Sequence, residues 1–183
     1  ISREVAAADD AVPEQHALQA YIHLVLNQHD LAVDEARRAV ELRPSNAVNH
    51  VVLSQVLYYA GRSHEAVAQA QQAIRLSPYH PGYYLFTLGL AYHGAGLHRD
   101  ALRAFTVLLD RAEQGAFRRD VAHLCLASTL ALLDRPKRAA SHMERARALN
   151  PNLRPDTIRR LSFYKEPARL EAVMRSLRSD GLE

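Results

Sequence analysis

The sequence predicts an all-α solenoid of stacked helical hairpins, and three observations carry the prediction. The stretch LGLAYHGAGLHRDALRAF (88–105) aligns without a gap on LSQVLYYAGRSHEAVAQA (53–70), setting Leu88 on Leu53, Tyr92 on Leu57, Gly96 on Gly61 and Ala101 on Ala66. Ala32, Ala66, Ala101 and Ala139 fall in equivalent slots, at steps of 34, 35 and 38 residues. Gly61 and Gly96 interrupt patterns that are otherwise helical. A fixed period in this range marks an array of supersecondary units, each of which buries one face on its neighbour.

The elements follow in order. Four amphipathic first helices are expected near 13–27, 46–59, 81–93 and 117–133. Each leads into an Ala-rich second helix: LAVDEARRAVELRP (31–44), EAVAQAQQAIRLSP (65–78), DALRAFTVLLD (100–110) and RAASHMERARALNP (138–151). Small residues spaced along one face let two helices approach closely, and Ala39, Ala73 and Ala146 continue that face. Gly61 and Gly96 read as C-terminal caps in the left-handed conformation, Ser63 as an N-cap, and Pro136 as a first-turn residue that misses no donor. After the array, a short helix from Pro155 through Leu161, a break at SFYKEP and a helix over 168–177 form the C-terminal cap.

These residues resemble the tetratricopeptide repeat (TPR) family. Repeat three matches best, with Leu88-Gly89-x-x-Tyr92, Gly96, Ala101 and Phe105. Repeat two keeps Leu53, Gly61, Ala66, Ala73 and Pro78 but carries Ser54 and Leu57 where the family prefers Gly and Tyr. The usual early aromatic is replaced by His16, His50, Leu85 and His123. The resemblance implies a right-handed superhelix of about four helix–turn–helix repeats over 13–151, divided near 13–46, 47–81, 82–116 and 117–151. A lead-in at 1–12 precedes it and capping helices at 152–183 follow. The resemblance further implies that first helices line a concave groove. Its residues are then Ala17, Tyr21 and Leu24; Val48, Val51, Gln55, Tyr58 and Tyr59; Tyr83, Phe86, Leu90 and His93; and Val121, Leu124 and Ser128. The clamp that holds acidic chaperone tails in some TPRs is replaced here by Ala17, Tyr21 and Phe86. An apolar or amphipathic helical segment is the expected ligand, from a partner, a second copy or the chain's own tail.

A second resemblance, carried by FYKEPARLEAVMRSLRSDGLE (163–183), is to the closing segment of bacterial chains that join a class III nucleotide cyclase to a TPR array. It implies the alternative of a regulatory module in a signalling protein. The start at Ile1 without Met fits an excised part of a longer chain.

No chemistry is expected within these residues. His64-Glu65 begins like a zinc-protease helix, but no second His follows at the required spacing. His93 and His98 straddle the third turn without a carboxylate or Cys beside them, so no metal or other cofactor is predicted. His123 and Cys125 are two apart on a helix and point away from each other, which rules out a dyad. No phosphate-cradling glycine loop or nucleophile elbow occurs. The single Cys excludes an internal disulfide, which fits the cytoplasm. No apolar run approaches the roughly 20 residues of a membrane span.

Charge is unevenly placed. Residues 1–117 carry a net −3, and residues 118–178 a net +8. The cations Arg118-Arg119, Arg135, Lys137-Arg138, Arg145, Arg147, Arg154 and Arg159-Arg160 are spread over several helices with only Phe163 and Tyr164 near them to stack on bases. A solvated face or an acidic neighbouring domain explains them, and nucleic acid is not an expected partner.

Overall fold

In the computed structural model each unit folds as a helical hairpin, and four hairpins follow one another. These are α1 (Ser2–Val25) with α2 (His29–Leu42), α3 (Ala47–Tyr59) with α4 (Ser63–Leu76), α5 (Gly82–Gly94) with α6 (His98–Glu113), and α7 (Arg119–Leu132) with α8 (Pro136–Leu149). The structure describes residues 2–153, with side chains from Pro13 onward, together with Lys165, Ala168, Glu171 and Arg175. Of the expected C-terminal cap, Ala168, Glu171 and Arg175 are helical; the rest of 154–183 lies outside the described residues.

All four hairpin turns are closed by the same device. The residues at the turn slot, Asn27, Gly61, Gly96 and Asp134, have φ of 57°, 85°, 76° and 55°. The next amide reaches back to the helix: Gln28 N–H donates to His23 O, Arg62 to Leu57 O, Leu97 to Tyr92 O and Arg135 to Leu130 O, at 2.8–3.0 Å. This 6→1 bond satisfies a carbonyl that the helix end leaves orphaned. Asn and Asp tolerate the left-handed region better than other side chains, which is why repeats one and four manage without Gly. A Cβ on Gly96 would meet nothing within 4 Å, so Gly96→Ala should cost only backbone strain, about 1 kcal/mol. Urea unfolding checks this, and an unchanged midpoint would contradict it.

Three boundaries differ from expectation. The first helix begins at Ser2, not Pro13, and carries Pro13 inside it. The preceding run REVAAADDAV is rich in helix formers, which outweighs the one bond Pro13 cannot donate. Ser63 is not an N-cap but the first residue of α4; the cap position belongs to Arg62, whose side chain instead pairs with Glu65 (Nε–Oε1, 2.6 Å). Gly94 belongs to α5, so the third turn is tighter than Gly94-Ala95-Gly96 suggests.

The hairpins stack in sequence order, the second helix of each against the first helix of the next, and α3 also touches α1 and α5. Ala32, Ala66, Ala101 and Ala139 are fully buried, as are Ala39, Ala73 and Ala146. Within each hairpin a small buried residue of the first helix stands 16 positions before a residue of the second helix whose size varies. The pairs are Ala20 with Ala36, Ser54 with Ala70, Gly89 with Phe105 and Ala127 with Met143, and every one of these second-helix residues is buried. The ring of Phe105 fits because Gly89 has no side chain: an added Cβ would lie 2.3 Å from its Cε1.

A second device repeats across the hairpins. His16 Nδ1 bonds Glu35 Oε2 at 2.5 Å, His50 Nδ1 bonds Gln69 Oε1 at 2.7 Å, and His123 Nδ1 meets His142 Nδ1 at 2.9 Å, each pair 19 residues apart. These histidines tie first helix to second. In repeat three the same pair of slots holds Leu85 and Ala104, both buried and apolar.

Candidate functional site

The first helices α1, α3, α5 and α7 supply the residues of the expected groove, but the structure divides them. Leu24, Val51, Tyr58 and Ser128 are buried and offer no contact surface. Leu24 packs with Ala20, Ala32, Val33 and Ala36; Val51 packs with Ala73 and Tyr84; Tyr58 joins the core of the first two repeats and meets the Tyr59 ring edge-on at 5.1 Å. These four are corrected from groove to core. Leu24 is taken up inside its own hairpin and Val51 and Tyr58 in cores shared with their neighbours, where burying an apolar group is worth more than exposing it, while Ser128 is held by His93. Tyr21 and Val48 are exposed, and Ala17, Gln55, Tyr59, Tyr83, Phe86, Leu90, His93, Val121 and Leu124 are partly so.

A line of hydrogen bonds runs from helix to helix, from the exposed Tyr21 through Gln55 to the buried Thr87. Tyr21 Oη donates to Gln55 Oε1 (2.5 Å), Gln55 Nε2 donates to Thr87 Oγ1 (2.9 Å), and Thr87 Oγ1 donates to the Tyr83 carbonyl (2.9 Å). Farther along, His93 Nε2 and Ser128 Oγ are 3.2 Å apart. Desolvation, with Tyr83 nearby, pushes the Tyr21 hydroxyl up to about 12, so it stays a neutral donor. On α5, Tyr83 stands edge-on to Tyr84 at 4.7 Å, and Phe86 tilts against Phe117 at 5.5 Å. Thr87 and Phe117 were not among the expected groove residues. Phe117 opens the segment expected to be helical from 117, but α7 begins at Arg119, which leaves Phe117 in the preceding loop.

Lys165 adds a contact from the far end of the chain. Its amide donates to Tyr59 O at 2.9 Å and its ammonium to Asp30 Oδ1 at 2.8 Å, at the turn edge of the first two hairpins. The hydrogen bond from Lys165 holds the Asp30 carboxyl below the usual carboxylate range.

The other expected candidates have structural explanations. The rings of His93 and His98 lie 5.6 Å apart, edge to face, and among the described residues no three His, Cys, Asp or Glu side chains are grouped to hold a metal. Desolvation pushes the Cys125 thiol up to about 12, which leaves no thiolate nucleophile near neutral pH. Part of the basic third is neutralised internally. Arg118 pairs with Asp120 at 2.6 Å, Arg119 lies 3.6 Å from Glu113, and Asn150 also donates to Asp120. Arg135, Lys137, Arg138, Arg145 and Arg147 are exposed on and beside α8, while Arg154, Arg159 and Arg160 lie outside the described residues. Among the described residues no helix is long and apolar enough to cross a membrane.

No protein-family model matches the sequence, and no curated protein matches it. Solved structures do. A putative kinesin light chain from Podosopora anserina, described as nearly identical TPR-like repeats, superposes with a TM-score of 0.67 at 15% identity, covering 91% of this chain and 93% of that one. The chain has the fold of a TPR solenoid. Pseudomonas aeruginosa PilF is similar over 93% of this chain and 75% of its own, with a TM-score of 0.69 and 16% identity. MamA from Desulfovibrio magneticus RS-1 matches at 0.66 and 20% identity over 76% of each chain. The TPR fold thus persists where few residues are shared, because it needs only small residues at the seams and a left-handed slot at each turn.

Proposed function

We propose that this TPR solenoid is a protein–protein interaction scaffold whose first-helix face takes an apolar or amphipathic helix. The observation that carries the proposal is the set of open or half-open aromatics Tyr21, Tyr83, Phe86 and Phe117 on or beside the first helices, with the polar groups of Tyr21, Gln55 and Thr87 already hydrogen-bonded. Such a surface can desolvate an apolar helix face without stranding donors, and its aromatics suit an interface centre. The same residues hold no arrangement that suggests turnover, and the basic face of α8 is better read as solvated than as a nucleic-acid site. Capture of partners from the source organism tests the proposal. Tyr83→Ala with Phe86→Ala should weaken capture at least about tenfold, the equivalent of 1.4 kcal/mol, with the helical circular dichroism retained. Tyr58→Ala is unsuitable because Tyr58 is core. An unchanged set of captured proteins would show that this face is not the binding site.

A further inference from the structure

The fourth hairpin gathers cations where the others do not. At the repeat steps of 38, 35 and 34 residues, the slot of Arg138 holds Asp100, Glu65 and Leu31, and the slot of Arg145 holds Val107, Gln72 and Arg38. Only the fourth hairpin has a cation in both. Its two helices also share one spacing, Arg119-x-x-x-His123 on α7 and Arg138-x-x-x-His142 on α8. Each guanidinium therefore stands one turn before its imidazole on the same helix face. The helices of a hairpin run antiparallel, so Arg119 and Arg138 flank the His123–His142 contact from opposite ends, the Nδ1 atoms lying 2.9 Å apart. Arg145, three residues after His142, joins the end held by Arg119. The three arginines are exposed and His142 is partly open, while His123 is buried.

Little in the hairpin answers this charge. Glu113, at the end of α6, lies 3.6 Å from Arg119, and Asp120 is engaged by Arg118 and Asn150. Glu144 is two residues from His142 and so belongs to another face of α8. Among the described residues no carboxylate pairs with Arg138 or Arg145. In the first two hairpins the histidine meets an acceptor on the second helix, Glu35 or Gln69; here it meets another imidazole. Burial lowers both imidazoles; the His123 ring, Arg145 and Arg138 lower His142 further, and Arg145 and Arg119 lower His123 further, against Glu113.

We propose that Arg119, Arg138 and Arg145, gathered around the His123–His142 pair, form a binding site for a phosphate group. A dianion with several acceptor oxygens suits grouped guanidinium forks better than a single carboxylate does. Its arrival offsets the repulsion that keeps the imidazoles neutral, so one ring takes a proton from solvent and turns its Nε2 into a further donor. The other ring still lends its Nδ1 lone pair, and the contact between the helices survives. From Arg138 to Arg145 the cluster spans only about 10 Å of helix, which fits one phosphate and not a nucleic-acid backbone.

Histidine ring-proton NMR of the full chain, titrated from neutral pH downward with and without inorganic phosphate, tests this. Phosphate should move the His142 midpoint from about 4 back toward 6.5 and raise that of His123 with it. Sodium chloride at matched ionic strength should not do so. Arg138→Gln with Arg145→Gln should weaken phosphate binding at least about tenfold and raise both midpoints before any phosphate is added. Its circular dichroism should be unchanged, because both side chains are exposed. Tyr83→Ala with Phe86→Ala should bind phosphate as the wild type does, which separates this site from the proposed groove. A phosphoserine peptide that binds more tightly than inorganic phosphate assigns the group to a protein partner, and equal affinity assigns it to free phosphate. Phosphate and chloride acting alike would overturn the proposal, as would a double variant that binds phosphate undiminished. Single-stranded DNA binding more tightly than either probe would also overturn it, since that requires a track of cations and not this cluster.

Discussion

Gly89→Ala should destabilise the chain by about 2 kcal/mol and lower its thermal midpoint by about 4–8 °C, although alanine is the better helix former. Propensity favours the substitution by about 1 kcal/mol at an interior helical position. Against it stands the contact with Phe105: the new Cβ would lie 2.3, 2.6 and 2.7 Å from three atoms of the ring. Phe105 is 1% exposed and packed among Leu85, Ala101, Leu108 and Ala122, so the ring has nowhere to withdraw. Overpacking of this kind costs about 1–3 kcal/mol, and more when the neighbour is fixed. The steric effect therefore wins. The sign should reverse once the ring is gone. In a Phe105→Ala background, which recreates the Ala70 arrangement of repeat two, Gly89→Ala should stabilise. Parallel effects in the two backgrounds would show that the residues are uncoupled and the packing argument wrong.

Lowering the pH from neutral toward about 4 should destabilise the fourth hairpin through His123 and His142. Desolvation lowers both imidazoles. The His123 ring, Arg145 and Arg138 lower His142 further, and Arg145 and Arg119 lower His123 further, while Glu113 opposes the shift at His123. His142 is brought from 6.5 to about 4. The Nδ1 atoms are 2.9 Å apart, a contact that holds only while one ring lends an unprotonated nitrogen. Because both groups titrate lower in the folded chain than in the unfolded one, the unfolded chain binds more protons between those values. Stability is then complete above about 6.5 and is lost as pH falls through that window. Thermal midpoints measured across it should fall for the wild type and fall less for His142→Gln, whose amide keeps a bond to His123. If both chains lose stability in parallel, the pair is not responsible.

Much of this architecture was legible in the sequence because it depends on residues within one hairpin. The period, the Ala slots and the left-handed Gly61 and Gly96 are local requirements: a small side chain where two helices touch and a missing Cβ where the chain reverses. Asn27 and Asp134 perform the same turn, yet nothing in their identity separates them from ordinary polar residues until the backbone is seen. Ser63 and Pro13 were misplaced because cap and helix start are decided by a balance of about 1 kcal/mol that a neighbouring turn can tip. The sequence marks the first helices as apolar, but periodicity could not divide their residues between core and open surface. Tyr58 and Tyr83 look alike in the repeat; Tyr58 closes into the seam between hairpins while Tyr83 stays half open beside Gln55 and Thr87. Leu18 and Val52 occupy one repeat position, and Val52 is buried because the first hairpin packs against it. Pattern reports what a residue could bury; the neighbours brought by the tertiary fold decide what it does bury.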